Sequence, residues 1–96
     1  MTEPGSVRVT DAPERSRFEI SVDGALAGFA LYRLTPGRIT FVHTEIDDAY
    51  AGRGLGGKLA RAALDDVRAR GLAVRPDCPF FKGWIAKHPD YADLVV

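Results

Sequence analysis

The first half of the chain shows the two-residue alternation of apolar and polar side chains that is typical of β-strands. Segment Phe18–Val22 alternates strictly, and Asp23–Gly24 after it favours the positive backbone angles of a tight hairpin turn. A strand is predicted over Leu26–Leu34. After the turn Thr35–Gly37, another is predicted over Arg38–Ile46, which is rich in β-branched and aromatic residues. Three successive antiparallel strands should therefore frame the fold.

In the second half, apolar residues recur about every four positions, which is the spacing of a helix. One apolar stripe is formed by Leu55, Leu59, Ala63 and Val67. The helix should end at Gly71, and a helical crossover would place the next strand, Leu72–Asp77, parallel to Arg38–Ile46. Pro79 should open a second helix and Pro89 should end it. The predicted fold class is α+β with a mixed sheet, in which an antiparallel meander precedes a β-α-β parallel crossover and a C-terminal helix.

Length and composition allow one small domain. Residues 1–6 are expected to form a flexible tail, and residues 7–96 a single domain that begins with a short edge strand at Val7–Thr10. Thirteen basic residues balance thirteen acidic ones, so we expect no nucleic-acid or membrane partner. Because the start lacks the regions of a signal peptide, a cytoplasmic protein is expected. One cysteine and two histidines indicate neither an internal disulfide nor a zinc cluster.

A glycine-rich segment joins the predicted strand Arg38–Ile46 to the first helix. Residues 52–58 read Gly-Arg-Gly-Leu-Gly-Gly-Lys. Glycines let backbone N–H groups approach an anion, and the helix dipole attracts it. Each glycine inside a helix costs about 1 kcal/mol, so this concentration indicates a phosphate or pyrophosphate site, to which Arg53 and Lys58 add charge. A plain flexible turn is the alternative interpretation.

Two nucleotide-binding motifs overlap the same glycines. The P-loop pattern begins at Gly52, but Leu59 stands where Ser or Thr must hold magnesium, which argues against a nucleotide hydrolase. The pattern G-x-G-x-x-G also fits at Gly52, Gly54 and Gly57, and Asp77 lies twenty residues after the last of these. Against a dinucleotide fold, the preceding strands form an antiparallel meander, and too few residues follow Asp77 for a second parallel unit.

From about Phe18 to Tyr91, the order of elements and the glycine motif resemble the GNAT superfamily of N-acetyltransferases. In that superfamily the cofactor motif runs V-x-P-x-x-[QR]-x-x-G-x-[GA]. The positions that match in register are Ile46, Gly54 and Gly56. Asp48 stands where proline is common, and Ala51 stands where Gln or Arg contributes to the pyrophosphate site. Arg53, two residues further on, is the expected substitute.

The stretches His43–Glu45 and Cys78–Phe80 are similar to those of a compact, stand-alone subgroup of predicted acetyltransferases. The resemblance implies acetyl-CoA as cofactor and an amine, on a small molecule or a protein, as acceptor. It also implies that the pantetheine arm lies in a gap between the two parallel strands. The implied cofactor-binding residues are Ile46, Asp47, Gly52, Arg53, Gly54, Leu55, Gly56, Gly57 and Lys58.

Acetyl transfer needs a base, an oxyanion donor and an acid. Alternation predicts that Phe41, His43 and Glu45 share one face of their strand, with Glu45 as the first choice for base and His43 beside it. Alternatively, His43 packs under a helix and Glu45 caps a helix or pairs with an arginine on the solvent side. Cys78 precedes a helix start and is the candidate acyl carrier, although a lone cysteine is more often a small buried residue.

Many superfamily members use a tyrosine on the last helix as the acid, but that position falls on Ile85 here. Tyr91 or solvent would then protonate the leaving thiolate. Because this acid is missing, a second class of function is also considered, a CoA-binding module without turnover. A third class, an interaction domain, is disfavoured by the zero net charge.

The sequence also predicts features of the sheet edge and of the two helices. The edge at Leu72–Asp77 is predicted to be open, where a second copy or an acceptor protein could add a strand. The expected state is a monomer or a weak homodimer. The polar face of the first helix predicts ion pairs at Arg61–Asp65 and Asp66–Arg70, four residues apart. Core packing is expected for the aromatic residues Phe80, Phe81 and Trp84, with a ligand channel as the alternative.

Overall fold

The computed structural model describes residues 6–96, in which one face of a mixed sheet carries two helices. The strands are β1 (Val7–Ala12), β2 (Arg17–Val22), β3 (Ala25–Thr35), β4 (Arg38–Ile46) and β5 (Ala73–Pro76). The helices are α1 (Leu55–Ala69) and α2 (Pro79–Lys87), and short 3-10 turns occupy Pro13–Arg15, Asp48–Tyr50 and Pro89–Leu94. Most of the predicted tail lies outside the described residues. Its last residue, Ser6, accepts a hydrogen bond from the backbone N–H of Asp23 at 2.8 Å.

The five strands lie in the order β1-β2-β3-β4-β5. The first four form an antiparallel meander, and β5 pairs parallel to β4. Asp23 and Gly24 adopt φ values of 50° and 85°, which confirms the predicted hairpin turn. The predicted α+β class with a mixed sheet is therefore confirmed. No helix within residues 6–96 has both the length and the apolar character needed to cross a bilayer.

Strand β1 continues further than its apolar pattern predicted, into the polar residues that follow Thr10. Asp11 is held there because its carboxylate accepts hydrogen bonds from the Tyr32 hydroxyl at 2.6 Å and from the Arg70 guanidinium at 2.7 Å. Burial and the neighbouring Asp11 carboxylate both raise the pKa of Tyr32. Asp11 thus ties the edge strand to β3 and to the end of α1.

The core lies between the sheet and the two helices. Its largest fully buried side chains are Phe18, Phe41, Phe81, Ile20, Ile39, Leu59, Leu64, Val67 and Val74. The rings of Phe41 on β4 and Phe81 on α2 stack with their centroids 4.1 Å apart. The predicted apolar stripe of α1 is buried, and Phe81 is a core residue as expected. Phe80 is 39% exposed, so not all of the predicted aromatic core lies inside.

A β-bulge at Val42 interrupts β4. The register of pairing with β3 shifts between Phe41 and His43, so Val42 is an extra residue and the alternation of side chains reverses after it. Phe41 is fully buried beneath α2, whereas His43 and Glu45 project from the opposite face of the sheet. The prediction that these three side chains share a face is wrong, because it assumed an unbroken strand.

The outer edge of β5 is covered in part by the end of the chain. Val95 forms a parallel bridge with Val74, and the N–H of Val96 donates to the Val74 carbonyl at 3.3 Å. The edge predicted to be open at Leu72–Asp77 is therefore occupied at its centre. The ladder hydrogen bonds that a partner strand would need there are already made by the same chain.

Of the two ion pairs predicted on α1, one is confirmed. Asp66 and Arg70 lie 2.7 Å apart. Arg61 and Asp65 instead share the hydroxyl group of Tyr91, which accepts from Arg61 at 3.2 Å and donates to Asp65 at 2.6 Å. Tyr91 comes from the turn after α2, so its position could not be read from the helix alone.

Gly28 in β3 allows a close approach of β4. An added Cβ would lie 2.4 Å from the Glu45 carbonyl oxygen and 2.6 Å from the Ile46 side chain. Because backbone must then move, we expect Gly28→Ala to lower the free energy of unfolding by about 1–3 kcal/mol, as measured by urea denaturation. Gly83 lies in α2, and an added Cβ there meets nothing within 4 Å. Gly83→Ala should therefore raise the free energy of unfolding by about 0.5–1 kcal/mol. Similar effects of the two changes would contradict this account.

Candidate functional site

Strand β5 pairs over its whole length with only the first four residues of β4. The parallel register joins Arg38–Phe41 to Ala73–Pro76, and the N–H of Cys78 then donates to the Phe41 carbonyl at 2.8 Å. Beyond that bond the chain turns into α2. Within the described part of the chain, residues 42–46 of β4 therefore have no strand neighbour on this side. Their outward backbone groups are available to an extended ligand.

The glycine turn follows this unpaired edge after the short 3-10 turn Asp48–Tyr50. Gly52 and Gly54 adopt φ values of 81° and 72°, a region in which residues with a Cβ are strained. Gly54 is the N-cap of α1, where no side chain caps the helix and no acidic residue lies in the first turn. The first N–H groups of a 15-residue helix thus face outward without a competing carboxylate. This arrangement suits a phosphate group.

Of the other two glycines of the turn, one has a clear packing role. A Cβ on Gly56 would lie 2.8 Å from the Phe80 ring, so Gly56 lets α1 and α2 approach each other. A Cβ on Gly57 would lie 3.4 Å from Nε1 of Trp84, which is an ordinary van der Waals contact. The sequence indicated an anion-binding role for all four glycines, but Gly56 is explained by the contact between the two helices.

Both basic residues of the turn are available to an anion. The Arg53 guanidinium lies over the Tyr50 ring, 5.3 Å from its centre. Neither Arg53 nor Lys58 forms an ion pair with any residue from Ser6 onward. A dianionic ligand could therefore recruit both charges without breaking an existing salt bridge.

A groove of about 380 Å³ lies between the start of β3 and the end of β4. It is lined by Leu26, Ala27, Gly28, Phe29, Glu45, Ile46, Asp47 and Asp48. The wall of the groove is held together by a hydrogen bond of 2.7 Å from the Asp47 N–H to the Ala27 carbonyl. The groove thus brings the predicted site residues Glu45, Ile46 and Asp47 to one concave surface.

His43 and Glu45 form an exposed pair beside this groove. His43 Nε2 lies 3.8 Å from Glu45 Oε2, and their side chains are 56% and 62% exposed. The His43 ring faces the ring of Phe29 at 6.3 Å. His43 is thus not covered by a helix, and Glu45 pairs with a histidine rather than an arginine. Neither part of the alternative interpretation holds.

The comparisons with known proteins agree with this geometry. The family model for the GCN5-related N-acetyl-transferase matches residues 17–94. This chain belongs to that family. Protein NATD1 of Mus musculus is 33% identical over 87 residues, which span 88% of this chain and 79% of NATD1. Protein NATD1 of Xenopus tropicalis is 30% identical over 91 residues, 93% of this chain and 84% of the relative. The resemblance seen in the sequence is confirmed.

Solved structures show the same fold. A GCN5-like protein from Staphylococcus aureus superimposes with a TM-score of 0.71 at 24% identity, over 93% of this chain and 87% of that protein. A ribosomal-protein-alanine N-acetyltransferase from Brucella melitensis gives a TM-score of 0.58 at 17% identity, over 83% of this chain and 60% of that enzyme. At these identities the likeness establishes the architecture alone. It confirms the predicted small GNAT-like fold.

Two predicted reactive groups of this GNAT domain are enclosed. Cys78 is 3% exposed, and its Sγ lies 3.3 Å from the Thr44 hydroxyl. It faces the helices, on the side of β4 away from Glu45. The Tyr91 hydroxyl is bound to Asp65 and Arg61, and burial and Asp65 raise the pKa of Tyr91. Ile85, in the usual position of the acid, is buried.

Sequence reasoning missed a second pocket in this GNAT domain, of about 280 Å³. It is lined by Gly54, Gly57, Lys58, Arg61, Trp84 and His88. The rings of Trp84 and His88 stack with their centroids 3.8 Å apart. These two residues are four positions apart at the end of α2, and that spacing was the available signal. This spacing did not show which residues of α1 would face Trp84 and His88.

Proposed function

We propose that this protein transfers an acetyl group from acetyl-CoA to a primary amine of a small molecule or a protein. The observation that carries the proposal is the succession of an unpaired β4 edge and an uncapped, glycine-rich helix start. A ligand that combines an amide-containing arm with a pyrophosphate fits both parts, since the edge offers backbone hydrogen bonds and the helix start offers N–H groups.

The residues present fit acetyl-CoA, which supplies the activated acyl group. Ile46 and Asp47 would bind the arm near the thioester, and Gly52, Arg53, Gly54 and Lys58 would surround the pyrophosphate. Leu55, Gly56 and Gly57 complete the set, because the first turn of α1 presents their backbone N–H groups. Leu55 is 3% exposed, so its contribution is limited to its backbone. Backbone N–H groups are also the proposed oxyanion donors, since the chain has no Asn or Gln.

Glu45 is proposed as the base that takes the proton from the attacking amine. Its carboxylate lines the groove and is 62% exposed, so the proton can pass on to water or to His43. The carboxylates of Asp47 and Asp48 line the same groove and favour an acceptor that arrives as a cation. The burial of Cys78 favours direct transfer over an acetyl-cysteine route.

Release of free CoA thiol in the presence of a panel of primary amines tests the proposal. We expect Glu45→Gln to lower kcat/KM by about a hundredfold, the contribution of a general base. The matched control is Glu14→Gln, which removes an exposed carboxylate from the turn after β1 and should leave the rate unchanged.

The alternative is a CoA-binding module without turnover, which is favoured by the buried Ile85 and by the Tyr91 hydroxyl bound to Asp65. Binding of acetyl-CoA with no thiol release for any amine would select this alternative and reject the transferase. Equal rates for the wild type and Glu45→Gln would instead reject Glu45 as the base.

A further inference from the structure

The pocket between α1 and α2 concentrates positive charge beside an aromatic wall. Lys58 and Arg61 line it from α1, one helical turn apart, and His88 lines it from the end of α2. The Arg61 guanidinium lies 5.4 Å from the centre of the Trp84 ring. Arg61 has no ion pair among residues 6–96. The pocket therefore offers cationic side chains that no carboxylate of the described chain neutralises by direct contact.

The ring of His88 has a defined orientation. Its Nδ1 lies 2.7 Å from the Trp84 carbonyl oxygen, and because a carbonyl can only accept, Nδ1 carries a proton. The stack on Trp84 holds the plane of the ring. Nε2 is then the nitrogen that gains a proton when the side chain becomes charged. In the charged form both ring nitrogens donate.

The groups around His88 determine which ligand suits it. Lys58 and Arg61 face it from α1, Lys87 precedes it on α2, and Asp90 and Tyr91 lie on the turn that follows. The Tyr91 hydroxyl already donates to Asp65 on α1. An anion bound between these cations would favour the charged form of the His88 ring. A dianion such as a phosphate monoester therefore fits better than a neutral group.

We propose that this pocket binds the 3′-phosphate of CoA and that His88 takes up a proton from solvent when this phosphate binds. The inference rests on the proposed function, because the pocket shares Gly54, Gly57 and Lys58 with the pyrophosphate site. A ligand whose pyrophosphate lies at the start of α1 can place a second phosphate group one turn further along. There Arg61 and the protonated His88 would donate to it.

Titration calorimetry of the wild-type protein in buffers with different ionisation enthalpies tests the proposal. At about pH 7, binding of CoA should be accompanied by a net uptake of protons. Dephospho-CoA keeps the pyrophosphate and the thiol. Its binding should be accompanied by essentially no proton uptake and should be about tenfold weaker than that of CoA. The affinity for CoA should rise as the pH falls from about 8 to about 6.5, because the anion favours the charged imidazole.

Substitutions assign the effect to His88. His88→Gln should abolish the proton uptake and weaken CoA binding about tenfold near pH 6.5, with little change for dephospho-CoA. Lys87→Gln removes a positive charge one residue away, outside the pocket lining, and should change neither quantity. His43→Gln, at the other histidine of the chain, should leave the proton uptake intact.

The outcomes separate this inference from the function on which it rests. If CoA and dephospho-CoA bind equally tightly with equal proton uptake, the pocket does not hold the 3′-phosphate, although the protein still binds CoA. If neither CoA nor acetyl-CoA binds, the proposed function itself is wrong. The buffer comparison needs only the wild-type protein, so it decides the question even if His88→Gln is unstable.

Discussion

Replacing Gly54 by aspartate should weaken the binding of acetyl-CoA about a thousandfold. Gly54 is the N-cap of α1, and an added Cβ meets no atom within 4 Å, so the new carboxylate has room at the proposed pyrophosphate site. Two unit charges about 4 Å apart repel by about 4 kcal/mol at the effective dielectric constant of a protein surface. Titration calorimetry would measure the loss.

Two control variants separate charge from backbone strain. Gly54→Asn has the same shape and tolerates the φ of 72° at this position, but it adds no charge, so it should weaken binding only about threefold. Gly37→Asp introduces the same carboxylate in the β3–β4 turn, at a φ of 76° with open space around it, and should bind acetyl-CoA normally. An equal loss for Gly54→Asn and Gly54→Asp would show that the glycine is needed for its conformation and not for anion binding.

Truncating Phe41 to alanine should lower the free energy of unfolding by about 3–5 kcal/mol. Its side chain is fully buried, and its ring stacks on Phe81 at 4.1 Å and lies 6.2 Å from the ring of Phe18. The change would leave a cavity where β4, α2 and the first hairpin meet. A domain of this size has a total stability of only about 5–10 kcal/mol, so most of it would be lost.

Urea denaturation followed by circular dichroism would measure this effect. Phe80→Ala is the matched control, because Phe80 neighbours Phe81 on α2 but is 39% exposed, and its loss should cost about 1 kcal/mol. A similar loss for both variants would mean that the contact between α1 and α2, rather than the stack of Phe41 on Phe81, carries the stability.

Steady-state kinetics would separate the two proposed roles. Glu45 lies on the exposed face of the sheet and is proposed to act on the acceptor, whereas His88 lies at the end of α2 and is proposed to act on the cofactor. Loss of Glu45 should therefore appear mainly in kcat, and loss of His88 mainly in the KM for acetyl-CoA.

Several features of this protein were determined by the sequence alone. Strand β4 has the predicted bounds, Arg38–Ile46, and α1 begins at Leu55 as its apolar stripe indicated. The hairpin turn at Asp23–Gly24 was also predictable. These features depend on the preferences and spacing of neighbouring residues, which a linear chain displays directly. The family was indicated by a resemblance, in the order of elements and in the match of Ile46, Gly54 and Gly56 to the cofactor motif.

The tertiary structure alone decided which groups meet. A single extra residue at Val42 reverses the alternation in β4, and no local pattern announced it. Gly56 has no room for a side chain because Phe80 lies against it, and the second pocket exists because α2 brings His88 to α1. The partners in these contacts are far apart in the sequence, and each depends on how strands pair and helices pack. The spacing of apolar residues predicts which face of a helix or strand is buried, but it does not predict which residues that face contacts.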